Sequence, residues 1–233
     1  YFQVIKPDTV VYDNRSGSLE EIGTLEEGEV YPRVSDYGNW HRIQFGDYYG
    51  YVNKSNTAPS NGSRIQNENE RYSTNGRSFT AKEDVIVYDN TSGQLVPFAT
   101  IKEGSKATIV SDYGSWWRIV LSDRVGYVYK SSVQTGFTAN DEYFQVIKPD
   151  TVVYDNRSGS LKEIGTLEEG EVYPRVSDYG NWHRIQFGDY YGYVNKSNTA
   201  PSNGSSIQNE NQEYTTRGSR FHAEEDVIVY DNT

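Results

Sequence analysis

The stretch VSDYGNWHRIQFGDYYGYVNKS, Val34 to Ser55, decides how the rest of this chain is read. It returns as VSDYGSWWRIVLSDRVGYVYKS at Val110 to Ser131, and letter for letter at Val176 to Ser197. Self-similarity at a fixed period is the signature of a modular array, so the repeat sets the architecture before any single residue is interpreted. Aligned without gaps, the copies place Tyr12, Tyr88, Tyr154 and Tyr230 in one column, at successive spacings of 76, 66 and 76 residues. The true period is a two-module unit of 142 residues. Residues 1–63 and 143–205 differ only at Glu20 against Lys162, whereas the module opening at Phe79 is a divergent cousin.

Each copy is dense in Val, Ile, Tyr, Phe and Trp, lacks helical periodicity and is punctuated by turn residues, which predicts an all-β chain. In the first module strands are expected at Phe2 to Ile5, Thr9 to Tyr12, Leu19 to Leu25 and Glu29 to Ser35. Trp40 to Phe45 and Tyr48 to Asn53 form a hairpin around Gly46-Asp47. Five or so short strands in about 60 residues predict a small, strongly bent barrel. The fold expected is a tandem of small SH3-like β-barrels joined by polar linkers.

The boundaries follow the repeat. The modules are 1–57, 79–134 and 143–199, with linkers at 58–78, 135–142 and 200–220. The long linkers are rich in Asn, Ser, Gly and Glu; the Asn61-Gly62, Asn75-Gly76 and Asn203-Gly204 pairs favour turns. Ile65 and Tyr72 are apolar enough to pin their linker against a neighbour. Because 135–142 is short, the second and third modules are expected to be the more tightly coupled pair, with joint stiffness alternating along the chain. Residues 221–233 repeat Phe79 to Thr91 and start an incomplete fourth module. A quarter of a module does not fold alone. The natural chain is therefore expected to continue, or this hairpin docks on the third module or on another molecule.

Composition removes several function classes. The 233 residues carry a formal charge of -11, which argues against a nucleic-acid partner, since that recognition rests on clustered Lys and Arg. No apolar run approaches the length that crosses a bilayer, so no membrane partner is expected. With no cysteine there is no disulfide framework, thiolate metal site or cysteine nucleophile. With no methionine anywhere, Tyr1 is expected to begin a processed or excised chain.

The order Gly38-Asn39-Trp40-His41-Arg42-Ile43, a short turn, then Gly50-Tyr51-Val52 resembles the closing strands of bacterial Src-homology-3 (SH3b) modules. Val11 to Gly17 and the turn Leu25 to Gly28 resemble the first strands and loop of the same family. The resemblance covers three full modules and the start of a fourth. It implies modules of the kind attached to Gram-positive peptidoglycan hydrolases and other surface proteins. It further implies an extracellular location at the cell wall and a ligand in the peptide or glycan of peptidoglycan.

With Phe, the aromatic residues make up 14% of a polar chain, which nominates groove residues, because aromatic faces bind sugars and peptides with little loss of side-chain entropy. In the first module these are Tyr12, Tyr37, Trp40, Tyr49 and Tyr51. Their counterparts are Tyr88, Tyr113, Trp116 and Tyr127 in the second module, and Tyr154, Tyr179, Trp182, Tyr191 and Tyr193 in the third. The competing expectation is that about half of them plug the barrel; Tyr37, in a polar Asp-Tyr-Gly loop, is the least suited to that role. Arg42, Arg118 and Arg184 are second-rank candidates able to grip a carboxylate.

The remaining polar features read as structural. His41 and His183 align with Trp117, so the position calls for a flat ring rather than a proton carrier. Asp36, Asp112 and Asp178, like Asp13, Asp89, Asp155 and Asp231, sit where turns bond their own backbone. The run from Asp13 to Ser18 lacks the central Gly and terminal acid of a calcium loop, so no metal is expected. No nucleophile, zinc or phosphate motif is present, and neither catalysis nor a cofactor is expected.

Taken together, the chain is expected to be a non-catalytic wall-binding array that targets a larger extracellular protein of autolysin or amidase type. The alternative is a repetitive stalk or fibre spacer of a surface adhesin. Within the opening stretch, Tyr48-Tyr49 becomes Arg124-Val125 beside an unchanged Gly-Tyr-Val, which separates a structural frame from a rim that tunes what each module touches.

Overall fold

The computed structural model describes residues 1–73, 76–210 and 218–231. Asn75 of the Asn75-Gly76 turn, residues 211–217 of the last linker and the final two residues of the partial fourth module lie outside them.

The first module contains strands β1 (Phe2–Val4), β2 (Thr9–Asp13), β3 (Glu20–Leu25), β4 (Val30–Tyr31), β5 (Ser35–Tyr37), β6 (Trp40–Phe45), β7 (Tyr48–Asn53) and β8 (Thr57–Pro59). The second contains β9 (Ser78–Ala81), β10 (Val85–Asp89), β11 (Val96–Ile101), β12 (Lys106–Tyr113), β13 (Trp116–Leu121), β14 (Arg124–Tyr129) and β15 (Val133–Thr135). The third contains β16 (Tyr143–Val146), β17 (Thr151–Asp155), β18 (Lys162–Leu167), β19 (Val172–Pro174), β20 (Ser177–Tyr179), β21 (Trp182–Phe187), β22 (Tyr190–Asn195) and β23 (Thr199–Ser202). The chain is all-β, with single 3₁₀ turns such as Lys54–Asn56 between strands. Each module holds seven or eight strands where five or so were expected.

In every module the long strands follow the same antiparallel order, with the second strand beside the last long one, as β2 lies beside β7, β10 beside β14 and β17 beside β22. In the third it runs β18-β17-β22-β21-β20, with the small sheet β19-β16-β23 packed against it. Alternation sends Val11, Ile43, Phe45 and Val52 inward with Phe2, Val4, Leu25 and Tyr31 to form the first core. The Gly-Tyr-Val motif has a packing cause: a Cβ on Gly50 would sit 2.3 Å from Val11, and Gly126 and Gly192 meet Val87 and Val153 in the same way.

One strand is built differently in the second module. The expected strand from Glu29 to Ser35 is broken into β4 and β5 on either side of Pro32, which has no N–H to give to a ladder. The aligned residue of the second module is Thr108, and there β12 runs unbroken for eight residues and pairs with β9 through Thr108 and Ser78.

The first two modules share a sheet. Strand β11 pairs antiparallel with β3, Ala99 opposite Leu25 and Ile101 opposite Gly23, so one 12-stranded sheet runs through both. Gly23 permits this approach, since a Cβ there would lie 2.2 Å from the Thr100 carbonyl oxygen. Arg124 is buried at the joint, 2% exposed. Its guanidinium donates to the Glu29 carboxylate at 2.8 Å, the Asn67 side-chain oxygen at 2.6 Å and the Val30 carbonyl at 3.1 Å, and lies 4.3 Å over the Phe98 ring.

Residues 58–78, expected as a linker, belong to this joint. Pro59 and Ala58 pair with β1 in β8, Asn67 is buried, and its amide donates to the Val125 carbonyl at 2.7 Å while Val125 N–H donates to the Asn67 carbonyl. The polar stretch is held because Asn67 pairs with backbone that the two modules bury between them, while the Glu68 carboxylate accepts from the Tyr1 hydroxyl. The expected order of coupling is thus not what the fold displays: the continuous sheet lies across the first junction. At the second junction Arg77 pairs with Asp141, and the Asn203 amide donates to Asp112 at 3.2 Å. Phe137 of the short linker lies edge-on to His183, ring centroids 4.4 Å apart.

Residues 218–231 form no strand, and Phe221, Val227 and Val229 are exposed where their counterparts Phe79, Val85 and Val87 are buried.

Candidate functional site

The outward side of this sheet carries the aromatic candidates. On β6, Trp40 and Arg42 alternate with the inward His41 and Ile43. On β7, Tyr49 and Tyr51 alternate with Gly50 and Val52. Registration then brings them together: Trp40 lies opposite Tyr37, Arg42 opposite Tyr51, and Tyr51 opposite Tyr12. Trp40 and Tyr12 meet edge-on at 5.8 Å, and the Arg42 guanidinium lies 4.5 Å over Tyr49.

Tyr37 is not in a loop. It ends β5, paired with Trp40 across the Gly38-Asn39 turn, and is 73% exposed. Gly38 supplies the positive φ of 54° that this two-residue turn requires. Trp40, Tyr12 and Tyr51 are half-buried, edged by neighbouring rings rather than enclosed in the core.

The third module repeats the arrangement, with Tyr154 edge-on to Trp182 at 5.7 Å, Tyr179 against Tyr193 at 6.0 Å and Arg184 4.4 Å over Tyr191. In the second, Tyr88 meets Trp116 at 5.8 Å and Tyr113 meets Tyr127 at 5.3 Å. Two further residues complete that face, neither singled out as a binding candidate from sequence. Tyr129 stacks on Trp116 at 3.5 Å, in the place of Asn53 and Asn195. Tyr72 brings its hydroxyl to 2.7 Å from Arg118, which donates to it, so this residue pins its segment to the aromatic face itself. The signal for Tyr129 was its register, two residues beyond Tyr127 on the same side of the strand.

Three rings and an arginine on a pleated surface form a shallow platform rather than a pocket. Such a surface stacks against sugar rings or peptide planes, and the arginine adds a charged donor for a carboxylate. His41 lies behind the platform, stacked on Phe2 at 4.5 Å, with Nδ1 2.7 Å from Asp36 and Nε2 3.0 Å from the Thr57 hydroxyl. Burial holds the His41 ring below its ordinary pKa, and the hydrogen bond from His41 holds the Asp36 carboxyl low as well.

His183 stacks on Phe144 in the same way and, fully buried, is pushed down to about 3 by desolvation, with Arg175 and Lys196 adding to the effect. Trp117 takes this place in the second module, with Lys130 buried 4.3 Å over its ring and bonded to Asp112 at 2.7 Å. The position is filled by a flat ring in all three modules.

Among the described residues, no group of three His, Cys, Asp or Glu side chains is placed to hold a metal ion, and no helix is long and apolar enough to cross a membrane. A cleft of about 360 Å³ opens at the second junction between Arg77, Trp117, Asp141, Tyr143 and Asn203.

The chain is thus an array of small all-β modules, each displaying one aromatic and arginine platform. No family model and no curated protein matches it. Among solved structures it is similar to NlpC1 from Trichomonas vaginalis, at 11% identity and a TM-score of 0.22 over 62% of this chain and 51% of that one. It is also similar to NlpC2 from Trichomonas vaginalis, at 8% identity and a TM-score of 0.24 over 86% and 94%. The chain spans about half the length of NlpC1.

Proposed function

We propose that this chain is a non-catalytic binding array for peptidoglycan, engaging its peptide or glycan, and that it holds a larger extracellular protein of autolysin or amidase type at the wall of a Gram-positive bacterium. The observation that carries this reading is the recurrence of one platform, Tyr12-Trp40-Tyr51 with Arg42, at Tyr88-Trp116-Tyr127 with Arg118 and at Tyr154-Trp182-Tyr193 with Arg184. A shallow platform binds weakly by itself. Three on one chain raise the effective concentration at a polymeric, repetitive ligand, and affinity then comes from the array. Purified sacculi test it: saturable retention of the chain supports binding, and no retention at any wall concentration rejects it.

A second reading, the stalk or spacer, is favoured by the buried Arg124 joint, which stiffens the first two modules into one body. It predicts a chain that ignores sacculi yet keeps a fixed extended length in scattering measurements.

A further inference from the structure

On the first module, the second covers a face built from Gly23 to Leu25, Glu29, Tyr31, Phe45 and Asn67. The third module carries the same residues at Gly165 to Leu167, Glu171, Tyr173, Phe187 and Asn209. Their surroundings differ. Tyr31 and Asn67 are 0% and 4% exposed, while Tyr173 is half-buried and Asn209 and Glu171 are exposed. A Cβ on Gly46 would meet the Lys106 carbonyl at 2.5 Å, whereas one on Gly188 meets nothing within 4 Å. At Gly165 its three nearest atoms all belong to the Phe187 ring, and β18 is the edge strand of its sheet.

The approach to this face is already laid out. On the first module the chain enters with Ser78 donating to Asp47 at 3.0 Å; on the third it enters with Arg220 at 3.0 Å from Asp189, the aligned pair. Tyr143 donates to Glu210 at 3.1 Å as Tyr1 donates to Glu68 at 2.7 Å, so the collar that positions Asn67 is also built around Asn209.

We propose that this face of the third module is a docking surface for a second-type module, one with an arginine at the position of Arg124 and an edge strand like Val96–Ile101, presented in cis through Arg220. Glu171 is the carboxylate that this arginine pairs with, and Asn209 the amide that seats it. Residues 221–230 repeat the opening strands of that module type, which fixes its identity. The second module of another copy is an inferior occupant, because its own first module already holds its arginine and edge strand.

A chain in which residues 221–233 are replaced by the sequence of residues 79–142 tests this. Hydrogen exchange is read by mass spectrometry on peptides bearing Glu20 or Lys162, the one residue that tells β3 from β18. In the 233-residue chain, Gly165 to Glu168 exchange at least tenfold faster than Gly23 to Glu26. In the extended chain the two rates converge. Glu171→Arg, at a position exposed in the present chain and so compatible with its fold, restores the fast exchange. Failure of the rates to converge overturns the proposal, as does an extended chain indifferent to Glu171→Arg. Protection that appears in the 233-residue chain as its concentration rises also overturns it and assigns the face to a second copy.

Discussion

Arg124 of the second module and Glu29 of the first form an ion pair at 2.8 Å, with the guanidinium 3% exposed at its side chain and the carboxylate 32% exposed. The charge enters the joint because Asn67, the Val30 carbonyl and the Phe98 ring receive it as well. A buried guanidinium is tolerated only where its donors are satisfied.

Arg124→Ala removes these partners and leaves the Val30 carbonyl and the Asn67 side chain without a donor. The expected cost is about 3 kcal/mol, moderated because Glu29 regains water. Chemical denaturation followed at the four tryptophans should show the first two modules separating into two transitions in the variant.

Gly23→Ala and Gly165→Ala are the same change in nearly identical modules. Both bring a Cβ against a phenylalanine ring, Phe45 at 2.5 Å and Phe187 at 2.6 Å, but only the first also drives it to 2.2 Å from the Thr100 carbonyl of the neighbouring strand. Differential scanning calorimetry should give a loss larger by about 2 kcal/mol for Gly23→Ala. Equal losses would mean that β3 and β11 do not pair in solution.

His183 gives a pH dependence with a defined sign. Its folded pKa, about 3, lies below the ordinary 6.5, so the unfolded chain binds the extra proton. Stability is fully present above about pH 6.5 and is lost as pH falls towards 3, at up to about 1.4 kcal/mol per pH unit. His41, shifted in the same direction, adds to this. The lowered carboxyls Asp36, Asp84, Asp141 and Asp155 act below their ordinary 3.8, leaving the window above about pH 4 to the imidazoles. His183→Trp, the residue type of the second module, should reduce the loss of stability between pH 6.5 and 4 in urea titrations, leaving the part that His41 contributes.

Tyr37→Ala combined with Trp40→Ala truncates rings that lie outside the core. The melting temperature should fall by only a few degrees, because Tyr37 is largely exposed and the half-buried Trp40 contributes about 1 kcal/mol through its edge-on contact with Tyr12. Loss of the fold in circular dichroism would place Trp40 in the core instead.

The repeat, the all-β class, the hairpin from Trp40 to Asn53 and the flat ring at position 41 were legible because each is written in local pattern. Pro32 was equally visible, and the break it causes shows only beside Thr108, where the same strand continues. Tyr37 reads as a loop residue because a two-residue turn and a longer loop share the same Asp, Gly and Asn. Arg124 reads as rim for a different reason: alternation within one module reports which side of a strand a residue occupies, but not that a neighbouring module covers that side. The platform itself followed from alternation, while Tyr72 reached it from a segment with no periodicity of its own.

The central claim is that the platforms bind the wall together, and retention on sacculi as a function of intact platforms tests it most directly. Trp40→Ala, Trp116→Ala and Trp182→Ala are introduced singly, in pairs and all three together, with folding checked by circular dichroism. The account predicts that each lost platform weakens retention by about tenfold or more, multiplicatively, as expected when linked sites act in series. A folded triple variant retained as tightly as the parent chain, or a parent chain that is not retained, would contradict it.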